Sequence, residues 1–133
     1  MEKVALIDLG SNTARLVIYE VLDGGYFVVS EERREAVRLG ETEPDGSLKQ
    51  TRIMQAIATL KSFKELCTIK NVDRILAVAT AAVRRASNQK TFLSDVYNAT
   101  GIRVTVVSEE EEAHYVYQGV INSMEIPRGL IME

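Results

Sequence analysis

The chain opens on Val4-Ala5-Leu6-Ile7, an unbroken apolar run that stops at Asp8-Leu9-Gly10-Ser11-Asn12. A run this short, closed by turn residues, predicts a strand buried on both faces. Ala14 to Val21 is apolar and β-branched enough for a second strand. Asp23-Gly24-Gly25 then predicts a tight hairpin turn, because glycine takes the positive φ that such turns need. Tyr26 to Leu39 continues as a third strand with charges on its outer part, completing a meander.

The period then changes. Ile53, Ile57, Leu60, Phe63 and Cys67 recur at three- or four-residue steps, the single stripe of an amphipathic helix. Ser47 and Gln50 have capping-box spacing and predict that this helix begins at Ser47. Arg74 to Ala79 predicts another buried strand. Asn88 is placed to cap a helix through Phe92, Val96 and Ala99, which Gly101 stops. Arg103 to Val107 predicts a last full strand, and Ser108 opens a final helix with Ala113, Val116, Tyr117, Val120, Ile121 and Met124 on one stripe. Three strands followed by helix–strand–helix–strand–helix predict an α/β fold, a mixed five-stranded sheet with helices packed on it. No internal repeat or low-complexity linker interrupts it. Gly129-Leu130-Ile131-Met132-Glu133, after Pro127, has the pattern of a new strand's first residues. The expectation is a chain cut at a domain boundary, with a half-domain over 1–126 and the start of a second over 127–133; a frayed tail is the alternative.

Composition narrows the class. The 133 residues are one domain's worth, 46% hydrophobic and 26% charged, as in ordinary globular proteins. A net charge of −3 argues against nucleic acid as a partner, since backbone phosphate is bound largely by Lys and Arg. No apolar run approaches the roughly 20 residues of a membrane span. The single cysteine, Cys67, cannot close an internal disulfide and suits a reducing cytoplasm.

Three segments carry candidate chemistry. In Asp8-Leu9-Gly10-Ser11-Asn12-Thr13-Ala14-Arg15, an acidic residue ends a strand and a Gly-Ser turn follows. Such a turn presents amides and a hydroxyl to an anion, Gly10 lets a phosphate approach the main chain, and Asp8 can hold a hydrated cation such as Mg²⁺. Arg15 can grip phosphate oxygens in a bidentate fashion. A plain hairpin stabilised by Asp and Asn fits the same spacing. In the second segment, Ala79-Thr80-Ala81-Ala82-Val83-Arg84-Arg85, a buried strand runs into small residues and paired arginines at the end where α/β sheets take ligands. Arg84 is the candidate contact; Arg85 fits a surface charge. The third is Ser108-Glu109-Glu110-Glu111-Glu112-Ala113-His114. Ser108 with Glu111 makes a capping box, and acids suit a helix amino terminus without further function. Glu112, four residues before Val116, flanks the apolar stripe and is the candidate general base. Glu109, one turn earlier, competes with it.

The ordered set of motifs resembles the exopolyphosphatase / guanosine pentaphosphate phosphohydrolase family. Asp8-Leu9-Gly10-Ser11-Asn12 resembles its first phosphate loop, Ala79 to Arg84 its second motif, and Val107-Ser108 through Glu111-Glu112-Ala113 its glutamate-bearing helix. Val37-Arg38-Leu39-Gly40 and Gly46-Ser47-Leu48 resemble the stretch before its long helix. The resemblance implies a ribonuclease H-like fold of the actin/hexokinase/Hsp70 type, in two halves, of which this chain would be the first. The implied reaction is hydrolytic release of terminal phosphate from polyphosphate or guanosine pentaphosphate. Glu112 would activate water, while Gly10, Ser11, Asn12, Arg15, Thr80 and Arg84 would surround the phosphate and Asp8 its divalent cation. The missing second half would be the necessary partner, so the isolated chain is expected to be inactive; a homodimer stays open. His114 departs from the family's arginine and Glu133 from its aspartate. The rival readings are an actin-fold kinase or ATPase half and a non-catalytic nucleotide sensor or partner-binding domain.

Overall fold

The computed structural model describes residues 2–108 and 110–111. The stripe expected from Ala113 onward, the strand expected at 129–133 and the proposed boundary after residue 126 all lie outside the described residues. Among the described residues five strands and three helices run in the order β1 (Glu2–Leu9), β2 (Thr13–Val21), β3 (Phe27–Ala36), α1 (Gln50–Ile69), β4 (Arg74–Ala79), α2 (Ala81–Arg85), α3 (Gln89–Thr100) and β5 (Val104–Val106). They form one sheet in the order β3-β2-β1-β4-β5. The three meander strands pair antiparallel, whereas β1–β4 and β4–β5 pair parallel. A helix-bearing connection precedes each parallel strand, as parallel pairing requires.

The apolar pattern explains the layering. Ala5, Ile7 and Leu9 of β1, Ala14, Leu16 and Ile18 of β2, and Ala77 and Ala79 of β4 face one side. There they meet Ile53, Ala56, Leu60, Phe63 and Cys67 of α1 and Phe92 and Val96 of α3. The opposite face carries Val4 and Leu6 with Tyr19, Val21, Phe27 and Leu76. Apolar side chains on both faces of β1 account for its continuous run. The β2–β3 hairpin closes through Leu22 N–H to Tyr26 O at 2.6 Å, with φ of 88° at Gly24 and 85° at Gly25. The outer strand β3 presents Glu31, Glu32, Arg33, Arg34 and Glu35, charges of the kind that discourage pairing at an open edge. Among the described residues no helix is long and apolar enough to cross a membrane.

Three local expectations are corrected. The first helix starts at Gln50, not Ser47, and no side chain caps it. Ser47 is held elsewhere: its amide and hydroxyl both donate to Asp45 Oδ1, at 2.9 and 2.7 Å. Asn88 stands at the amino end of α3 but caps nothing with its side chain. Its Oδ1 accepts the Leu48 amide at 2.9 Å and its Nδ2 donates to the Leu48 carbonyl at 3.3 Å, so one side chain clamps a strand of backbone 40 positions away. The third strand ends at Ala36 rather than Leu39 because the Asn12 carbonyl accepts the amides of Val37 and Arg38, at 2.9 and 3.1 Å. That capture bends the chain over the β1–β2 turn, with Arg38 at φ 49°. Two other ends form as expected. Gly101 closes α3 at φ 77°, and Ser108 and Glu111 exchange hydrogen bonds of 3.1 Å each.

Leu60 is fully buried under the sheet, while Met54 on the same helix is 62% exposed. Leu60→Ala should therefore destabilise the chain by about 2–5 kcal/mol, and Met54→Ala by no more than about 0.5 kcal/mol. Urea unfolding of both variants checks this; equal losses would mean that α1 does not present Leu60 to the core.

Candidate functional site

The three predicted motifs follow three parallel strands that stop level with one another. Leu9 of β1 pairs with Ala79 of β4, and Ala79 pairs with Val106 of β5. The Gly10–Asn12 turn, Thr80 with α2, and Val107-Ser108 therefore leave the sheet side by side at its carboxyl end. Hydrogen bonds tie the three exits together. Thr80 N–H donates to Leu9 O at 3.3 Å, Val107 N–H donates to Ala79 O at 3.0 Å, and Arg84 Nη1 donates to Val107 O at 2.8 Å.

Within this frame each candidate has a definite place. The Gly10 amide closes the β1–β2 turn on Thr13 O at 3.0 Å. A Cβ at Gly10 would lie 3.2 Å from that same backbone oxygen, so a side chain there would push the turn open. With Gly10 spent, the amides of Ser11 and Asn12 are the turn's donors without an acceptor among the described residues. Asp8, half-buried, occupies the face of β1 opposite the helices, and its register partner on β2 is Arg15. Arg15 Nε is engaged by Glu32 at 2.8 Å. Thr80 is 6% exposed beneath the turn, and its carbonyl accepts the Arg84 amide at 2.9 Å, opening α2. Glu112 and Glu109, together with His114 and Glu133, lie outside the described residues; the capping box of Ser108 with Glu111 is in place just after β5.

The structure adds residues that the motifs did not single out. A cavity of about 260 Å³ is lined by Ser11, Gly40, Thr42, Gly46, Ala82 and Arg85. Arg85 is exposed, as the spacing expected of a surface charge, and also lines this cavity beside the first turn, while Arg84 is bound to a backbone carbonyl. Gly40 carried the signal: a glycine between a strand and a helix, where a Cβ would meet the Ser11 side chain at 3.3 Å. A larger cavity, about 440 Å³, lies at the other end of the sheet and includes Lys64, Cys67, Tyr97 and Arg103. Both α1 and α3 end there, and cations beside helix carboxyl ends answer the helix dipoles. Arg103 also stacks on Tyr97, 4.5 Å from the ring centre. Burial pushes the Cys67 thiol up, with Lys64 opposing.

Among the described residues no three His, Cys, Asp or Glu side chains form a group able to hold a metal. One carboxylate, Asp8, stands two residues before Gly10 and three before the Ser11 hydroxyl. That oxygen-only set fits a hard cation such as Mg²⁺, which keeps several waters and takes one or two carboxylates plus substrate phosphates.

The Ppx/GppA phosphatase family model matches residues 17–132. The chain belongs to that family. Among solved structures, a Ppx/GppA family member of Aquifex aeolicus is 38% identical, with a TM-score of 0.83 over 93% of this chain and 40% of that one. An exopolyphosphatase of Cytophaga hutchinsonii is 26% identical, with a TM-score of 0.81 over 91% of this chain and 39% of that one. Among curated relatives, exopolyphosphatase 1 of Mycobacterium tuberculosis is 27% identical over 119 residues, 89% of this chain and 35% of the relative. The bifunctional 3-dehydroquinate synthase/phosphatase of Fusobacterium nucleatum is 29% identical over 128 residues, 91% of this chain and 19% of the relative. The chain thus spans about a third or less of the curated relatives it matches. The fold observed, a mixed five-stranded sheet with helices packed on it, is that of the solved Ppx/GppA structures.

Arg15 holds the Glu32 carboxyl below its ordinary 4.5, by its hydrogen bond first and its charge second. The folded value lies below the unfolded one, so the stabilisation is complete above about pH 4.5 and is lost as pH falls through the lowered value. Solvent screens this exposed pair, which keeps the contribution small. Glu32→Gln should therefore unfold at slightly lower urea than the parent at neutral pH, and the gap should narrow as pH falls below about 4.5, the ordinary value. A gap that persists unchanged in acid would contradict the assignment.

Proposed function

We propose that this segment forms one wall of an active site that releases terminal phosphate from a phosphoanhydride chain, polyphosphate or guanosine pentaphosphate, by attack of water. The level termination of β1, β4 and β5 is the observation that carries the reading. It gathers a glycine turn, a buried threonine and the Ser108–Glu111 capping box, one residue before Glu112 in sequence, at the sheet end where α/β folds receive ligands. Membership of the Ppx/GppA phosphatases supports the chemistry.

Phosphoryl transfer depends on positioning and on charge neutralisation. In this reading the Ser11 and Asn12 amides and the Ser11 hydroxyl receive phosphate oxygens, and Gly10 keeps the approach open. Arg84 has one N–H on Val107 O and turns its remaining donors toward the phosphate, since a guanidinium carries five. Arg15 contributes only by exchanging Glu32 for substrate, which assigns it a secondary role. Thr80 fixes the spacing between turn and α2. Asp8 holds Mg²⁺, which supplies charge neutralisation on the phosphate oxygens. Glu112 takes the proton of the attacking water. The remainder of the site belongs to the length of the relatives that this chain does not span, so the chain alone should release no phosphate at a useful rate.

Phosphate release by the full-length protein, from both substrates and with and without Mg²⁺, tests this. Glu112→Gln should lower kcat by about 10²–10⁴-fold, the range for losing a general base. Unchanged release would favour an actin-type kinase or ATPase, and tight guanosine pentaphosphate binding without release would favour a sensor.

A further inference from the structure

We infer that the cavity between Ser11, Thr42 and Arg85 is a second phosphate subsite, which takes a phosphate group of the substrate chain other than the one that is cleaved. The inference rests on the phosphoanhydride reading above and extends it to how the chain is held. The cavity opens directly off the first turn, because Ser11 belongs to both. Its volume, about 260 Å³, is on the order of eight waters at about 30 Å³ each, room for one phosphate and part of its hydration.

Its chemistry is one-sided. Ser11 and Thr42 offer hydroxyls, Arg85 offers a guanidinium, and among the described residues no carboxylate lines the space. Most arginines described elsewhere are occupied: Arg15 and Arg34 by Glu32, Arg33 by Glu31, Arg52 by Glu41, Arg74 by Glu2, Arg84 by Val107 O. Arg85, an exposed side chain, makes no hydrogen bond or ion pair among the described residues, although it lines this cavity in a chain of net negative charge. A guanidinium with five donors and two hydroxyl-bearing residues on one lining suit a phosphate group and do not suit a cation.

The walls are also fixed before any ligand arrives. Gly40 N–H donates to Ser11 O at 2.8 Å, which joins the β3–α1 loop to the first turn. Ser87 N–H donates to Gly46 O at 3.3 Å, and the Asn88 clamp on Leu48 joins the same loop to the α2–α3 corner. Thr42 pairs with Leu48 in an isolated bridge, so its backbone is set by that clamp. A cavity whose three walls are mutually tied loses little order on binding.

Steady-state kinetics of the full-length protein with tripolyphosphate and with guanosine pentaphosphate test the subsite. Losing one charge-assisted contact, Arg85→Gln should raise KM by about 10–100-fold, with kcat within about twofold. Arg85→Lys should recover part of the loss, and Thr42→Val should raise KM several-fold. Inhibition by inorganic phosphate, which needs only the first turn, should keep its constant in Arg85→Gln. A damaged fold would instead lower the active fraction, and with it kcat, at constant KM. A KM rise with both substrates, or with one alone, supports the subsite, and the second case also names its source. Unchanged KM for both in Arg85→Gln and Thr42→Val overturns it. If the parent protein releases no phosphate from either substrate, the hydrolase reading fails, and calorimetric titration with tripolyphosphate decides the subsite separately. Weaker binding by Arg85→Gln then supports it, and equal or absent binding in parent and variant overturns it.

Discussion

Parallel pairing of β4 with β1 on one side and β5 on the other is the constraint on which the rest of the molecule depends. Backbone hydrogen bonding sets the register, and the register makes Leu9, Ala79 and Val106 the last level of the sheet. Turn, α2 and capped helix begin within a residue or two of that level. A slip of two residues in either pairing would keep every side chain on its face, and so preserve the core, yet would carry one motif about 7 Å from the others. Core burial alone cannot fix the register at that resolution. The exits are instead pinned by polar contacts at the two ends: Thr80 to Leu9, Val107 to Ala79 and Arg84 to Val107 above, and Lys3 N–H to the Asp73 carboxylate at 2.8 Å below.

Much of this was legible in the residues because the governing physics is local. Strand β4 coincides with its predicted span, and of the helix stripe Ile53, Ile57, Leu60, Phe63 and Cys67 all but Ile57, which is partly buried, are buried in α1. Ser108 with Glu111 and Gly101 act within one turn of themselves, and both behave as local rules predict. Two of the three misjudged positions answer to distant partners, and the third, Ser47, to a competing neighbour two residues away. Asn88 has the right residue type and place for a cap, but the Leu48 backbone, 40 residues away, offers it both a donor and an acceptor. Ser47 loses its capping role to Asp45, and the end of β3 is decided by a carbonyl in the opening turn.

The same distinction runs through the site. That Asp8, Gly10, Ser11 and Thr80 belong together follows from strand ends and turn chemistry, which a sequence displays. Which arginine does what does not follow. Arg84 and Arg85 are adjacent and alike, and only the position of Val107 and of the loop through Gly40 and Thr42 separates them. Arg15 is similar: its pairing with Glu32 depends on the register of β2 with β3 across the hairpin.

The central place of β1 has a consequence for how the chain is made. The meander of β1, β2 and β3 is complete once residue 36 has emerged, but the free side of β1 is matched only by residues 74–79. On a ribosome adding some 5–20 residues per second, several seconds pass in which Val4 to Leu9 offer an unpaired, apolar backbone edge. The charges of β3 guard the opposite rim of the sheet and give this one no protection. The nascent chain is therefore most prone to wrong pairing at the strand that later anchors both halves of the sheet, and anything that stalls synthesis between α1 and β4 prolongs that exposure.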